Sequence, residues 1–174
     1  MNKLRRSLRN GLLALGMISM VACGNIDDTD EVVYSADQEA EELASLLDEI
    51  KADGYDIDTT ALGVYYIMEE TGDGAYVQPG DSIGITYYGY FTNGQLFDTS
   101  ASSGDGVWRY VPDDVSVIPG FADAVNQLQV GGSGSFIIPS SLAYGSTGTY
   151  GIPPYTTLIF DIELVDIYTV DTEL

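Results

Sequence analysis

The chain contains no histidine and one cysteine, Cys23, against 13 tyrosines, 5 phenylalanines and 27 acidic residues. Those counts decide which chemistries are open. Ser-His-Asp and Cys-His systems need an imidazole base, and most zinc enzymes need an imidazole ligand, so both classes are excluded. A lone cysteine excludes an intrachain disulfide. A carboxylate pair could cleave glycosides, but spacing singles out no two partners among the acids. Asp53, Asp56 and Asp58 lie close together without the full ligand spacing and terminal glutamate of a calcium loop, and neither a metal nor a cofactor is expected. What remains is aromatic surface, hydroxyls and backbone amides. On periodicity alone Tyr87, Phe97, Phe121 and Phe160 read as core aromatics. Tyr144 precedes a glycine in a loop, where a buried hydroxyl requires a partner.

The elements that must position these residues are legible in outline. Ser35-Ala36-Asp37-Gln38 has the spacing of a capping box. Leu43, Leu46, Leu47 and Ile50 then follow at i, i+3, i+4 and i+7, which predicts an amphipathic helix with Lys51 in its last turn and Gly54 as its stop. Its stripe must bury against the same chain or against a second copy. From Leu62 onward strands and turns take over. Ile83, Ile85, Tyr87, Gly89 and Phe91 alternate along a long strand. Asn93-Gly94 is a hairpin signal. Pro119 suits the first turn of a short helix whose Phe121, Val125 and Leu128 face one way, closed by Gly131-Gly132. Leu158, Phe160, Ile162 and Leu164 share one face of a final strand. The fold class is α+β: an antiparallel sheet folded around one short helix.

The two ends of the chain differ in charge. Lys3, Arg5, Arg6 and Arg9 fall in the first ten residues, and no acid precedes Asp27. Past Cys23, Lys51 and Arg109 alone oppose all 27 acids, a side-chain sum of −25. Such a surface repels phosphates, so nucleic acid is not an expected partner. Residues 1–10 are basic and Gly11–Val21 is apolar but shorter than the roughly 20 residues a bilayer span needs, which is the shape of a signal peptide. Met20-Val21-Ala22-Cys23 resembles a bacterial lipobox. The expected organisation is therefore a lipoprotein signal peptide over 1–22, an acidic linker over 23–34 beginning at a lipidated Cys23, a helix and connector over 35–61, and a domain over 62–174. The resemblance implies a lipid-anchored location on the bacterial cell envelope, at the outer membrane, facing the periplasm or the surface.

Several local patterns then occur in order. They are Ile85-Thr86-Tyr87-Tyr88-Gly89, Asn93 to Ser100, Val117-Ile118-Pro119-Gly120-Phe121, Leu142-Ala143-Tyr144-Gly145, and Gly151-Ile152-Pro153-Pro154 leading into Thr157 to Leu164. Over about residues 62–168 this set resembles the FKBP-type peptidyl-prolyl cis/trans isomerases. The resemblance implies a pocket for a proline ring walled by Tyr87, Phe97, Trp108, Val117, Ile118, Tyr144 and Phe160. Phe121 would form its floor, where many members have tryptophan. Asp98 would stand at the rim, and Ile152 would belong to a flap over the cleft. The Ile118 N–H and the Tyr144 hydroxyl would hold substrate carbonyls. Tyr87, Phe97, Asp98, Ile118, Tyr144 and Phe160 would carry catalysis; Trp108, Val117, Phe121 and Ile152 would bind substrate. In many members the acid at the Asp98 position is paired with a basic residue in the following loop, and Thr99 to Val107 contains none. The implied partners are proline-containing clients among exported proteins. The alternative on the same fold is a non-catalytic module that grips proline segments or a partner.

Overall fold

The computed structural model describes residues 35–112 and 117–168. The expected signal peptide, Cys23 and the acidic linker lie outside the described residues. Helix α1 (Ala36–Ala52) begins where the capping pattern places it: Ser35 is extended, and its side chain accepts a hydrogen bond from the Gln38 N–H at 3.2 Å. The reciprocal half of the box is not made, because the Gln38 amide donates forward to Glu42 instead. The helix ends through Gly54, whose φ of +87° only glycine adopts without strain and whose N–H reaches the Lys51 carbonyl.

Seven strands follow: β1 (Asp58–Thr59), β2 (Tyr65–Glu70), β3 (Ser82–Phe91), β4 (Leu96–Thr99), β5 (Trp108–Tyr110), β6 (Ser133–Ile138) and β7 (Leu158–Tyr168). A second helix, α2 (Pro119–Val125), lies between β5 and β6. All pairings are antiparallel, in the order β1-β2-β6-β7-β3-β4, with β5 also on β3. The Asn93-Gly94 turn joins β3 to β4, with Gly94 at φ +82°. The expected α+β architecture is observed. One detail differs: the α-helical part of the Pro119 segment ends at Val125, and Leu128 follows in a tighter turn with its N–H on the Val125 carbonyl.

Strand alternation sends side chains to two separate cores, one on each face of the sheet. On the concave face, Phe121, Ala124 and Val125 of α2 pack with Ile83, Ile85, Phe136, Leu158, Phe160, Ile162 and Leu164. On the opposite face, Leu46 and Ile50 of α1 pack with Ile67, Tyr90, Ile137 and Ile159, flanked by Leu43 and Leu47. The α1 stripe is thus covered by its own chain, and Ile159 explains why β7 is apolar on both sides near its start. Asp161 and Glu163 continue that outer face beyond the helix.

Docking of α1 rests on a small apolar contact with Ile50 1% exposed at its centre. Ile50→Ala should lower unfolding stability by about 2–5 kcal/mol, the range for a truncated buried aliphatic, in equilibrium denaturation by urea. A loss below about 1 kcal/mol would show that the helix contributes little to the fold.

Candidate active site

The concave face does not close completely over α2. A cleft of about 390 Å³ opens between the ends of β3, β4, β5 and β7 and the start of α2, within the range of small-ligand sites. Its walls come from four strands because each contributes one inward ring: Tyr87 from β3, Phe97 from β4, Trp108 from β5 and Phe160 from β7. Phe121 lies beneath them, 4% exposed. The rings meet mostly edge to face, the geometry their quadrupoles favour. Phe121 and Phe160 have centroids 5.1 Å apart at 77°, Phe97 and Phe160 5.6 Å at 87°, and Tyr87 and Phe121 5.6 Å at 78°.

Gly89 makes that convergence possible. An ideal Cβ on Gly89 would stand 2.8 Å from Phe97 Cζ and 2.9 Å from Phe160 Cε1. The bare backbone lets the two rings lean over β3 and leave the notch beside them open.

The polar rim is sparse. The Tyr87 hydroxyl donates to Asp98 Oδ2 at 2.9 Å, and Asp98 Oδ1 accepts the Thr99 N–H at 2.8 Å. The acid with no basic residue in its loop is therefore held by a tyrosine and a backbone amide. Arg109 lies elsewhere. It alternates away from Trp108 and forms a two-pronged contact with Asp105, the shorter at 2.8 Å. The Arg109 hydrogen bond, helped by the Val107 N–H, lowers the Asp105 carboxyl to about 2. Burial, then the hydrogen bond to Asp98 and the Asp98 charge, push the Tyr87 hydroxyl well above its usual range. The main chain of Tyr87 is also fixed by side chains: its N–H donates to the buried Ser100 Oγ at 3.0 Å, and its carbonyl accepts from Thr99 Oγ1 at 3.0 Å. Thr99 and Ser100 lay inside a recognised motif, yet sequence reasoning gave them no role.

Two donors at the cleft are unused among the described residues. The Ile118 N–H has no acceptor, and the Tyr144 hydroxyl has no side-chain or backbone partner. Ile118 is extended at φ −61°, ψ 141°, the conformation that a following proline imposes. Val117 completes the wall on this side. Of the ten expected site residues, nine line the cleft. Ile152 does not. It is 7% exposed and buried in the concave core, and the short loop at its base is closed by reciprocal Thr149–Ile152 backbone bonds of 2.9 and 3.0 Å. Its β-branched apolar side chain gains more from that core than from solvent above the cleft. A larger hollow of about 620 Å³ on the outer face mixes Tyr55, Tyr88 and Tyr90 with the acids Glu69, Glu70, Asp161 and Glu163.

Comparison with known proteins places this geometry. The family model described as "FKBP-type peptidyl-prolyl cis-trans isomerase" matches residues 74–165, just over half of the chain. The chain belongs to the FKBP family. Among curated relatives, FkpA of Escherichia coli strain K12 is 34% identical over 111 residues, covering 64% of this chain and 40% of that protein. A probable FKBP-type isomerase of Haemophilus influenzae is 36% identical over 117 residues, covering 67% and 47%. The chain therefore spans less than half the length of these relatives. The crystal structure of E. coli FkpA superposes with a TM-score of 0.64 at 30% identity, covering 76% of this chain and 62% of that one. A peptidyl-prolyl isomerase structure from Pseudomonas syringae gives 0.65 at 25% identity, covering 78% and 98%. Helix α1 precedes the matched FKBP segment.

Two outcomes follow from the site's geometry. Gly89→Ala should drive Phe97 and Phe160 into the FKBP cleft and weaken binding of a proline peptide about tenfold or more, read by calorimetric titration; unchanged affinity would mean that the rings relax freely. Above about pH 10 unfolded tyrosines ionise while Tyr87 and Tyr110 stay protonated in the fold. The native state then binds more protons than the unfolded one, so stability present below about pH 10 must fall as pH rises further. Tyr87→Phe should make the drop in urea midpoint between about pH 9 and 11 shallower, and an identical drop would remove Tyr87 from that account.

Proposed function

We propose that this FKBP chain is a peptidyl-prolyl cis/trans isomerase that assists folding of exported proteins, held at the bacterial cell envelope by lipid on Cys23. The single observation that carries the isomerase reading is the ring-lined cleft with two unused donors at its edge. An X-Pro bond turns over a barrier of about 18–20 kcal/mol because resonance makes it partly double. No bond breaks, so neither base nor nucleophile is needed, which suits a chain without histidine.

Three contributions lower the barrier. The prolyl ring seats against Phe121 between Tyr87, Trp108 and Phe160. The apolar walls withdraw water from the imide carbonyl, which disfavours the charge-separated resonance form. The Ile118 N–H and the Tyr144 hydroxyl take the flanking carbonyls, so that rotation is confined to one bond. Asp98 keeps Tyr87 in its rotamer by accepting a hydrogen bond from its hydroxyl. The cleft then binds the twisted amide more tightly than either planar isomer, and each 1.36 kcal/mol of that difference is worth a factor of ten in rate.

The lipid anchor rests on the basic start, the apolar run and the Met20-Val21-Ala22-Cys23 sequence. Acyl burial at roughly 0.8 kcal/mol per methylene would hold the chain to a membrane, with the acidic stretch as a solvated tether. Among the described residues no helix is long and apolar enough to cross a bilayer.

A protease-coupled assay on a proline peptide tests the isomerase reading. The protein should accelerate exchange, Tyr144→Phe should lower kcat/KM about tenfold through the loss of one hydrogen bond, and Phe97→Ala should lower it at least as much. Binding of peptide with no gain over the spontaneous rate would replace the isomerase with a proline-binding module. Mass spectrometry of the native protein should find diacylglycerol on Cys23, and an intact Met1 would overturn the anchor.

A further inference from the structure

The loop that carries Tyr144 is short and has an unusual start. β6 ends at Ile138, Pro139 follows, and a single 3₁₀ turn (Ser140–Leu142) leads to Ala143 and Tyr144. Such a turn needs an acceptor for its first N–H, and the residue in the capping position is Pro139, whose side chain has nothing to offer. The acceptor arrives from a distant part of the chain. Glu39 in the first turn of α1 accepts the Ser140 N–H on Oε1 at 2.6 Å and the Ser140 hydroxyl on Oε2. Thr157, at the entry to β7, also donates to Glu39 Oε1, at 2.8 Å. Ser140 and Thr157 are 3% and 5% exposed, so these charge-assisted bonds are sheltered from water.

The other side of Ser140 faces Tyr144. Its carbonyl accepts the Ala143 N–H at 2.9 Å and the Gly145 N–H at 2.8 Å, the two amides that bracket Tyr144. The Gly145 carbonyl in turn accepts the Tyr155 N–H at 2.9 Å. Tyr155 has φ +51°, a conformation costly for a bulky residue. A continuous set of bonds thus runs from one carboxylate in α1 to both sides of the cleft tyrosine and on to the segment after Pro153-Pro154.

We propose that Glu39 is a positioning residue for Tyr144: it fixes Ser140, and Ser140 fixes the backbone on both sides of the tyrosine. The catalytic part of this inference rests on the isomerase reading, and its structural part does not. Helix α1 is then a component of the site although it lies before the segment that the family model matches. Without a side-chain acceptor at position 39 the 3₁₀ turn loses its cap, and the Tyr144 hydroxyl samples positions from which a substrate carbonyl is out of reach.

The test has a structural and a kinetic reading. Hydrogen exchange of the Ala143 and Gly145 amides should speed up about tenfold or more in Glu39→Ala, while the Ile162 amide in the middle of β7 is unchanged. Glu39→Gln keeps one acceptor for the Ser140 N–H, so its exchange should stay near wild type. In the isomerase assay Glu39→Ala should lower kcat/KM at least about fivefold, and combined with Tyr144→Phe it should add little to the loss from Tyr144→Phe alone. Unchanged exchange at Ala143 and Gly145 would overturn the proposal, as would losses that multiply in the double variant. If Glu39→Ala does not fold, Ser140→Ala decides: it should speed the same two amides by a smaller factor, and no acceleration would overturn the clamp. A wild-type protein without turnover would end the isomerase reading while the exchange measurements still decided the clamp.

Discussion

The structure depends on keeping a patch of its own concave core unfilled. Five large rings converge on one end of that core and meet mostly edge to face. The notch survives because Gly89 contributes no side chain and because Tyr87 is pinned by its hydrogen bond to Asp98. A substitution that relaxed either of the two would let the aromatics collapse inward and gain contact area at the expense of the cleft. The cleft thus rests on the bare backbone of Gly89, with polar anchors at its rim.

The two faces of the sheet divide the work. Inside, α2 supplies Phe121 to the floor of the cleft. Outside, α1 buries Leu46 and Ile50 and stabilises β6 and β7, the strands whose far ends lead into the Tyr144 loop and out of the Pro153-Pro154 segment. The heavy acidity of the chain is mostly solvated surface, but a few carboxylates have structural partners. Asp98 holds Tyr87, Glu39 holds Ser140 and Thr157, and Asp123 on α2 accepts the Thr60 hydroxyl in front of β2. Each is bonded by neutral donors, as must follow in a region where Lys51 and Arg109 are the available cations.

Much of this was legible in the sequence because it is local. The stripe Leu43, Leu46, Leu47 and Ile50, the cap at Ser35, the Asn93-Gly94 turn and the alternation along β7 each lie within one element, and each was found where the pattern places it. The ring-lined cleft was legible only through the ordered family motifs, since periodicity alone assigns those rings to the core. The remainder is tertiary. Glu39 and Ser140 are 101 positions apart, and nothing within a helix turn distinguishes Glu39 from the other acids of α1. Likewise no local pattern ties Asp98 to Tyr87 across the β3–β4 hairpin: the family pattern implies a basic partner, and the structure supplies a tyrosine. The motif implies that Ile152 stands in a flap over the cleft; its side chain is buried in the concave core, behind a loop closed by reciprocal Thr149–Ile152 bonds.

Trp108 is the chain's one tryptophan, and it stands in the cleft wall beside Tyr87, with ring centroids 5.8 Å apart. Its fluorescence therefore reports directly on what fills the notch. Titration with a short peptide containing one X-Pro bond should shift the emission saturably, and the same peptide with alanine in place of proline should not. A response that is absent, or equal for both peptides, would contradict the claim that the aromatic cleft receives a prolyl ring.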